Sequence, residues 1–246
     1  MRWLTILALT MSAAHAAETS ALANWQQVLT NFVDSNGRIN FRLLATERQG
    51  LDDFVAWLAN HGPITTPRDF PSDEAIKAYH LNAYNALAMH GVLERDLPAN
   101  FSSFFKRASF FRFRKIVVDG QSTNLYDYEN KIIRPLGDAR VHFALNCMVR
   151  SCPRLPRKAF EKQTVDATLD DLTREFFATP EHLRINADKR RVAVSAILDF
   201  YTKDFVASGK ARDLLSYINR YLEQAVPRDY QVTFIDYDWT VNQSPR

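Results

Sequence analysis

The chain has 246 residues, of which 46% are hydrophobic, 12% aromatic and 24% charged. This is enough apolar material for a full core, and with only seven Gly and ten Pro it excludes a low-complexity, collagen-like or coiled-coil chain. Lys and Arg number 31 against 28 Asp and Glu, and a net charge of +3 leaves no overall electrostatic footprint for nucleic acid.

Met1 and Arg2 form a short positive start, residues 3–11 an apolar run, and Ala14-His15-Ala16 a small-residue cleavage pattern. Together they read as a secretory signal peptide over residues 1–16. The apolar run falls far short of the roughly 20 residues that span a bilayer, so no stable membrane insertion is expected once the leader is removed. Its removal takes away Arg2 and no acid, which changes the net charge from +3 to +2. The expected location is the periplasm or the cell exterior, where a disulfide can persist.

Residues 17–246 read as a single domain. Leu22, Trp25, Val28, Leu29 and Phe32 recur at helical spacing over residues 18–33, and Asp34-Ser35-Asn36-Gly37 stops the run with turn chemistry. A second amphipathic helix is expected over 43–59, ended by His61-Gly62-Pro63. Ser72 is the N-cap of a helix of some twenty residues running to about Glu94, with Asp73 and Glu74 favourably placed in its first turn. An aromatic-rich stretch follows over 101–113, read mostly as core. Residues 114–118 have a strand-like pattern before the Asp119-Gly120 turn, and 124–133 reads as helix. A helix over 165–178, a hairpin with arms 183–186 and 191–195, helices over 196–207 and 211–224, and a last strand over 231–239 complete the pass. Helices outnumber scattered strands, so the expected class is α+β, mostly helical, with a small antiparallel sheet.

Three windows place polar groups in apolar company. In residues 77–93, Asn82 shares a helical stripe with Tyr79, Ala86 and Met89, and Asn85 lies three positions on. A buried amide needs partners, so Asn82 is either a structural hydrogen-bonding group or a ligand-binding one. His90 falls on the adjoining face as a satisfied core histidine or a general base. In residues 124–134, Glu129 shares a face with Ile132 and Ile133, which suits either a structural ion pair with Arg134 or Arg140 or an acid/base role.

The third window, residues 140–155, carries His142, Cys147 and Cys152 at spacings of five and five. Three readings stay open there. A Cys147–Cys152 disulfide suits an oxidising compartment. A metal site is disfavoured by spacing that matches no common zinc pattern, and neither a metal nor a cofactor is expected. A nucleophilic cysteine needs a base, which must come from upstream as His142 or His90.

These windows resemble the domain of unknown function 547 family. In it a helix with an N-x-x-N-like motif and a following His, an acidic helix, an R-x-H-F-A-L segment entering C-x4-C-P, and a terminal Y-D-W recur in this order. Here they stand as Asn82, Asn85 and His90; Glu129; residues 140–145 with Cys147, Cys152 and Pro153; and Tyr237, Asp238 and Trp239. The resemblance spans about residues 36–242. One departure follows Cys147, where the family favours small residues and this chain has Met148 and Val149.

The resemblance implies a fold more than an activity. By analogy with papain- and transglutaminase-like hydrolases, to which the family is remotely similar, it makes Cys147 or Cys152 a nucleophile. The leading expectation is a hydrolase of amide or peptide-type bonds in which Cys147 attacks, His142 or His90 takes its proton, Glu129 orients the imidazole and Asn82 stabilises the oxyanion. The alternative is a non-catalytic binding or scaffolding module with a structural disulfide.

Overall fold

The computed structural model describes residues 20–245, and the leader read from residues 1–16 lies outside them. Helix α1 spans 20–32 and buries Trp25, Val28, Leu29 and Phe32. The Asp34 carboxylate then accepts the Asn36 and Arg38 backbone N–H groups, and Gly37 sits at φ 71°, so the turn forms where its residues dictate. The single helix expected over 43–59 is two, α2 (Phe41–Thr46) and α3 (Gln49–Leu58), with Asn40 capping the first.

Helix α4 (Asp73–Leu93) starts at Ser72, whose hydroxyl accepts the Ala75 N–H. Of its 21 residues 16 are buried, covering every face, so it is the central helix and not a surface one. Any amide it carries must therefore find its partners inside the protein.

Helix α5 (Phe104–Ala108) runs on into a π-turn over Ser109–Phe113. Strands β1 (Ile116–Val118) and β2 (Gln121–Thr123) form an antiparallel hairpin around Asp119 and Gly120. Helix α6 (Leu125–Tyr128), capped by Asn124, also passes into a π-turn, Glu129–Ile133. In the aromatic-rich stretch Phe101 and Phe110 are buried and Phe111 is partly covered, but Phe104, Phe105 and Phe113 are exposed, so only half of it is core.

Helix α7 (Val165–Ala178) and strands β3 (Leu183–Asn186) and β4 (Arg191–Ser195) form where their patterns place them. Beyond β4 the expected long helices are short turns of helix: α8 (Ile197–Phe200), α9 (Thr202–Phe205) and α10 (Leu214–Ile218). Strand β5 (Gln231–Ile235) pairs with β4 in parallel, so the three-stranded sheet β3-β4-β5 is mixed. The class is α+β, largely helical with two small sheets.

Two apolar clusters result. The larger gathers α1 to α4 with Val141, Leu145 and Met148, and the smaller gathers the three-stranded sheet, α7 and the short helices around Phe143. The stretch from Val141 to Met148 thus runs along the seam between them, and Tyr237 packs against both. After β5 the chain returns along that seam through the bridges Asn100–Thr240, Val149–Val241 and Ile39–Gln243. Among the described residues no helix is long and apolar enough to cross a membrane.

Candidate functional site

Residues 140–145 form no strand. Ala139–Phe143 is a 3-10 turn, started by Asp138 accepting the Arg140 N–H, so the two-residue alternation of a strand does not set where His142 and Cys147 face.

The cysteine loop that follows is held by amides. Asn85, reaching from α4, donates to the Ala144 carbonyl at 3.0 Å and accepts the Asn146 N–H at 2.8 Å. Asn146 in turn donates to the Pro153 carbonyl at 2.7 Å and accepts the Met148 N–H at 2.8 Å. Met148 is buried at φ 66°, in the left-handed region, where a glycine would sit at less cost. Cys147 and Cys152 are joined in a disulfide across a Cα–Cα separation of 6.2 Å. Both sulfurs lie 3.4 Å from the Tyr237 hydroxyl.

Cys147, His142 and Glu129 line one cavity of about 250 Å³, walled by Phe111, Phe200, Tyr201, Tyr237 and Trp239. His142 is buried and stacks on Tyr201 with ring centroids 4.1 Å apart. Its Nε2 lies 2.8 Å from Asp204 Oδ2; a carboxylate only accepts, so Nε2 carries the hydrogen and Nδ1 is the nitrogen free to take a proton. Asp204, on α9, is also gripped by Arg134 at 2.6 and 2.7 Å. Burial pushes the Asp204 carboxyl up, but hydrogen bonds from His142 and Arg134 outweigh it and hold the group well below the usual carboxylate range.

Glu129 is buried at the start of the π-turn, where one extra residue in the turn re-aims the side chain. It forms no ion pair with Arg134 or Arg140, which bind Asp204 and the trio Asp138, Asp166 and Asp170 respectively. Instead it accepts the Tyr84 hydroxyl at 2.9 Å. Burial first, and the Glu129 charge second, push the hydroxyls of Tyr84 and Tyr201 well above the usual phenol range. Burial does the same for Tyr237, so all three remain donors at any physiological pH.

Two expected site residues lie elsewhere. Asn82 accepts from Trp25 Nε1 at 3.1 Å and from the Phe160 N–H at 2.9 Å, and donates to the Phe160 carbonyl at 2.8 Å. It ties three segments together beside a different cavity, which it shares with Trp57, Tyr79 and Phe160. His90 sits in a charged cluster with Arg48, Asp52, Glu94 and Arg114, and burial lowers its pKa. Neither faces Cys147. The sequence reading missed Asp204, Tyr84 and Tyr201; only Tyr237 stood in a motif. Among the described residues no group of three or more His, Cys, Asp or Glu is placed to hold a metal.

The fold and site define an α+β protein with an aromatic-walled cavity that holds a carboxylate, a carboxylate-oriented imidazole and one sulfur of a disulfide. Residues 68–177 match the family described as protein of unknown function, DUF547. No curated protein and no solved structure matches the chain.

Proposed function

We propose that this is an exported, cysteine-dependent hydrolase of amide or peptide-type bonds, with Cys147 as the nucleophile once its disulfide is opened. The observation that carries the reading is the convergence of Cys147, His142 and Glu129, from separate segments, on one cavity. Opening consumes two electrons and two protons from an external dithiol, which is itself oxidised to a disulfide, and leaves Cys147 and Cys152 reduced. His142 Nδ1 then takes the Cys147 thiol proton, the thiolate attacks the carbonyl carbon, and the imidazolium returns the proton to the leaving amine. Water releases the resulting thioester. Asp204 takes over the orienting role first expected of Glu129, and the Tyr237 hydroxyl replaces Asn82 as a donor to the oxyanion. Glu129, held by Tyr84, is left to meet a polar group of the substrate.

The test is alkylation of the reduced, folded protein across pH, followed by peptide mass spectrometry. Cys147 labels with a midpoint below the ordinary thiol value of about 8.5, and His142→Ala or Asp204→Asn moves that midpoint up. Labelling of Cys147 only after unfolding overturns the reading.

A second reading, a binding module with a permanent disulfide, is favoured by the bonded sulfurs themselves and by the Cys147 N–H directed at Cys152 Sγ. A quantitative cross-link in protein taken from its native compartment, unchanged by substrate-like amides, supports this alternative.

A further inference from the structure

Between Asp96 and Asp119 the chain has five cations, Lys106, Arg107, Arg112, Arg114 and Lys115, and no carboxylate. Arg114 is paired with Glu94, but among the described residues the other four form no ion pair. Arg107 and Arg112 lie over the rings of Trp239 and Tyr126, which fixes them beside the aromatic wall. Out of the same segment project Phe104, Phe105 and Phe113, which are 69%, 81% and 75% exposed and are the three most exposed phenylalanines of the chain. The remaining exposed phenylalanine, Phe200, lies across the cavity that Phe104, Arg107 and Arg112 also line.

We infer that residues 101–115 are a docking patch for the surface of an anionic phospholipid membrane, and that the rim of the cavity lies against that surface. The charge complementarity is local: free cations surround protruding phenyl rings while the chain as a whole is nearly neutral. Phenyl rings have no polar handle and enter the boundary between headgroups and acyl chains, while Lys and Arg stems run along the same boundary with their charges at the phosphates. Phe and Arg suit a protein interface as well as a membrane, but Lys106 and Lys115 fit the membrane better, because interface cores are depleted of lysine. A nucleic acid is also a poorer fit, because the chain lacks a net basic footprint. Contact is peripheral, since no described helix can span a bilayer. The inference does not rest on the hydrolase reading, because lipid docking stands or falls on the patch alone. If both hold, the substrate is reached at the lipid surface.

The test is flotation of the purified protein with vesicles of equimolar phosphatidylglycerol and phosphatidylcholine, and with vesicles of phosphatidylcholine alone. The protein floats with the anionic vesicles and stays off the neutral ones, and salt near 1 M weakens binding severalfold. Lys106→Ser, Arg112→Ser and Lys115→Ser together lower the partition coefficient roughly a hundredfold, from the typical worth of a juxtamembrane cation. Phe104→Ser with Phe105→Ser lowers it about a hundredfold or more and leaves the salt dependence unchanged. All these positions are exposed, so melting temperatures serve as a folding control that stays constant. Failure to float with anionic vesicles overturns the inference. So does a loss confined to the charge variant, or binding to a single-stranded oligonucleotide in place of vesicles.

Discussion

Replacing Asn85 with Ala removes the amide that ties α4 to the loop between the two apolar clusters. The native side chain is 1% exposed and satisfies two buried backbone groups, the Ala144 carbonyl and the Asn146 N–H. Each orphaned group costs about 1–3 kcal/mol, so the expected destabilisation is about 2–5 kcal/mol, with little offset from water in so closed a place. For a protein of this size about 1 kcal/mol corresponds to roughly 2–4 °C in melting temperature, which gives a drop of roughly 4–20 °C. Urea denaturation followed by circular dichroism measures it, with an unchanged slope expected. Asn85→Leu separates the causes, because it keeps the volume and loses both hydrogen bonds. It should cost as much as Asn85→Ala, and the disulfide should be reduced faster by dithiothreitol in both. A leucine variant within about 1 kcal/mol of the native protein would refute the hydrogen-bond argument and leave packing as the reason for the residue.

Two further outcomes are expected. Burial holds His80, bonded to the Tyr128 hydroxyl, and His182, stacked on Phe176, with pKa values lowered from 6.5 to about 4. The unfolded chain therefore binds more protons between these values, so stability falls as pH drops from about 6.5 toward 4 and this contribution levels off below; urea midpoints over that range check the slope, and His80→Gln should flatten it. Gly62→Ala places a methyl group 2.5 Å from Asp119 Cγ and 2.7 Å from the Tyr79 hydroxyl, disturbing the carboxylate that accepts the Ile64 and Thr65 N–H groups. A loss of about 1–3 kcal/mol in chemical denaturation is expected.

What could be read along the chain was whatever local chemistry decides. Ser72 announces α4, and the β3–β4 hairpin is framed by its own turn, so both were legible. The cavity was legible only in part. Cys147, His142 and Glu129 stood out as polar groups in apolar windows, but Asp204 is 62 positions from the imidazole it orients, and nothing in its own neighbourhood marks it. Glu129 was read on a packed face, but the turn over Glu129–Ile133 is a π-turn, which a strict 3.6-residue period does not anticipate, and its partner Tyr84 lies 45 positions away. His90 and Asn82 failed as site residues for a different reason. Both lie on a helix buried all round, where facing the interior does not specify which interior. The short helices beyond β4 were overestimated because an apolar period continues through segments whose length is set by packing around Phe143 and Tyr217.

The return of the chain after β5 has a consequence for biogenesis. The Asn242 side chain donates to the Gly37 carbonyl across 205 positions of sequence, and Tyr237 and Trp239 wall the cavity from the same late segment. Every other wall of the pocket is translated first. A nascent chain still tethered to the ribosome has a cleft open along one side, and loop closure over such separations is slow. Both sulfurs of Cys147 and Cys152 are thus open to oxidants and reductants until those last aromatic residues arrive, after which Cys152 is buried and Cys147 is reached only through the cavity.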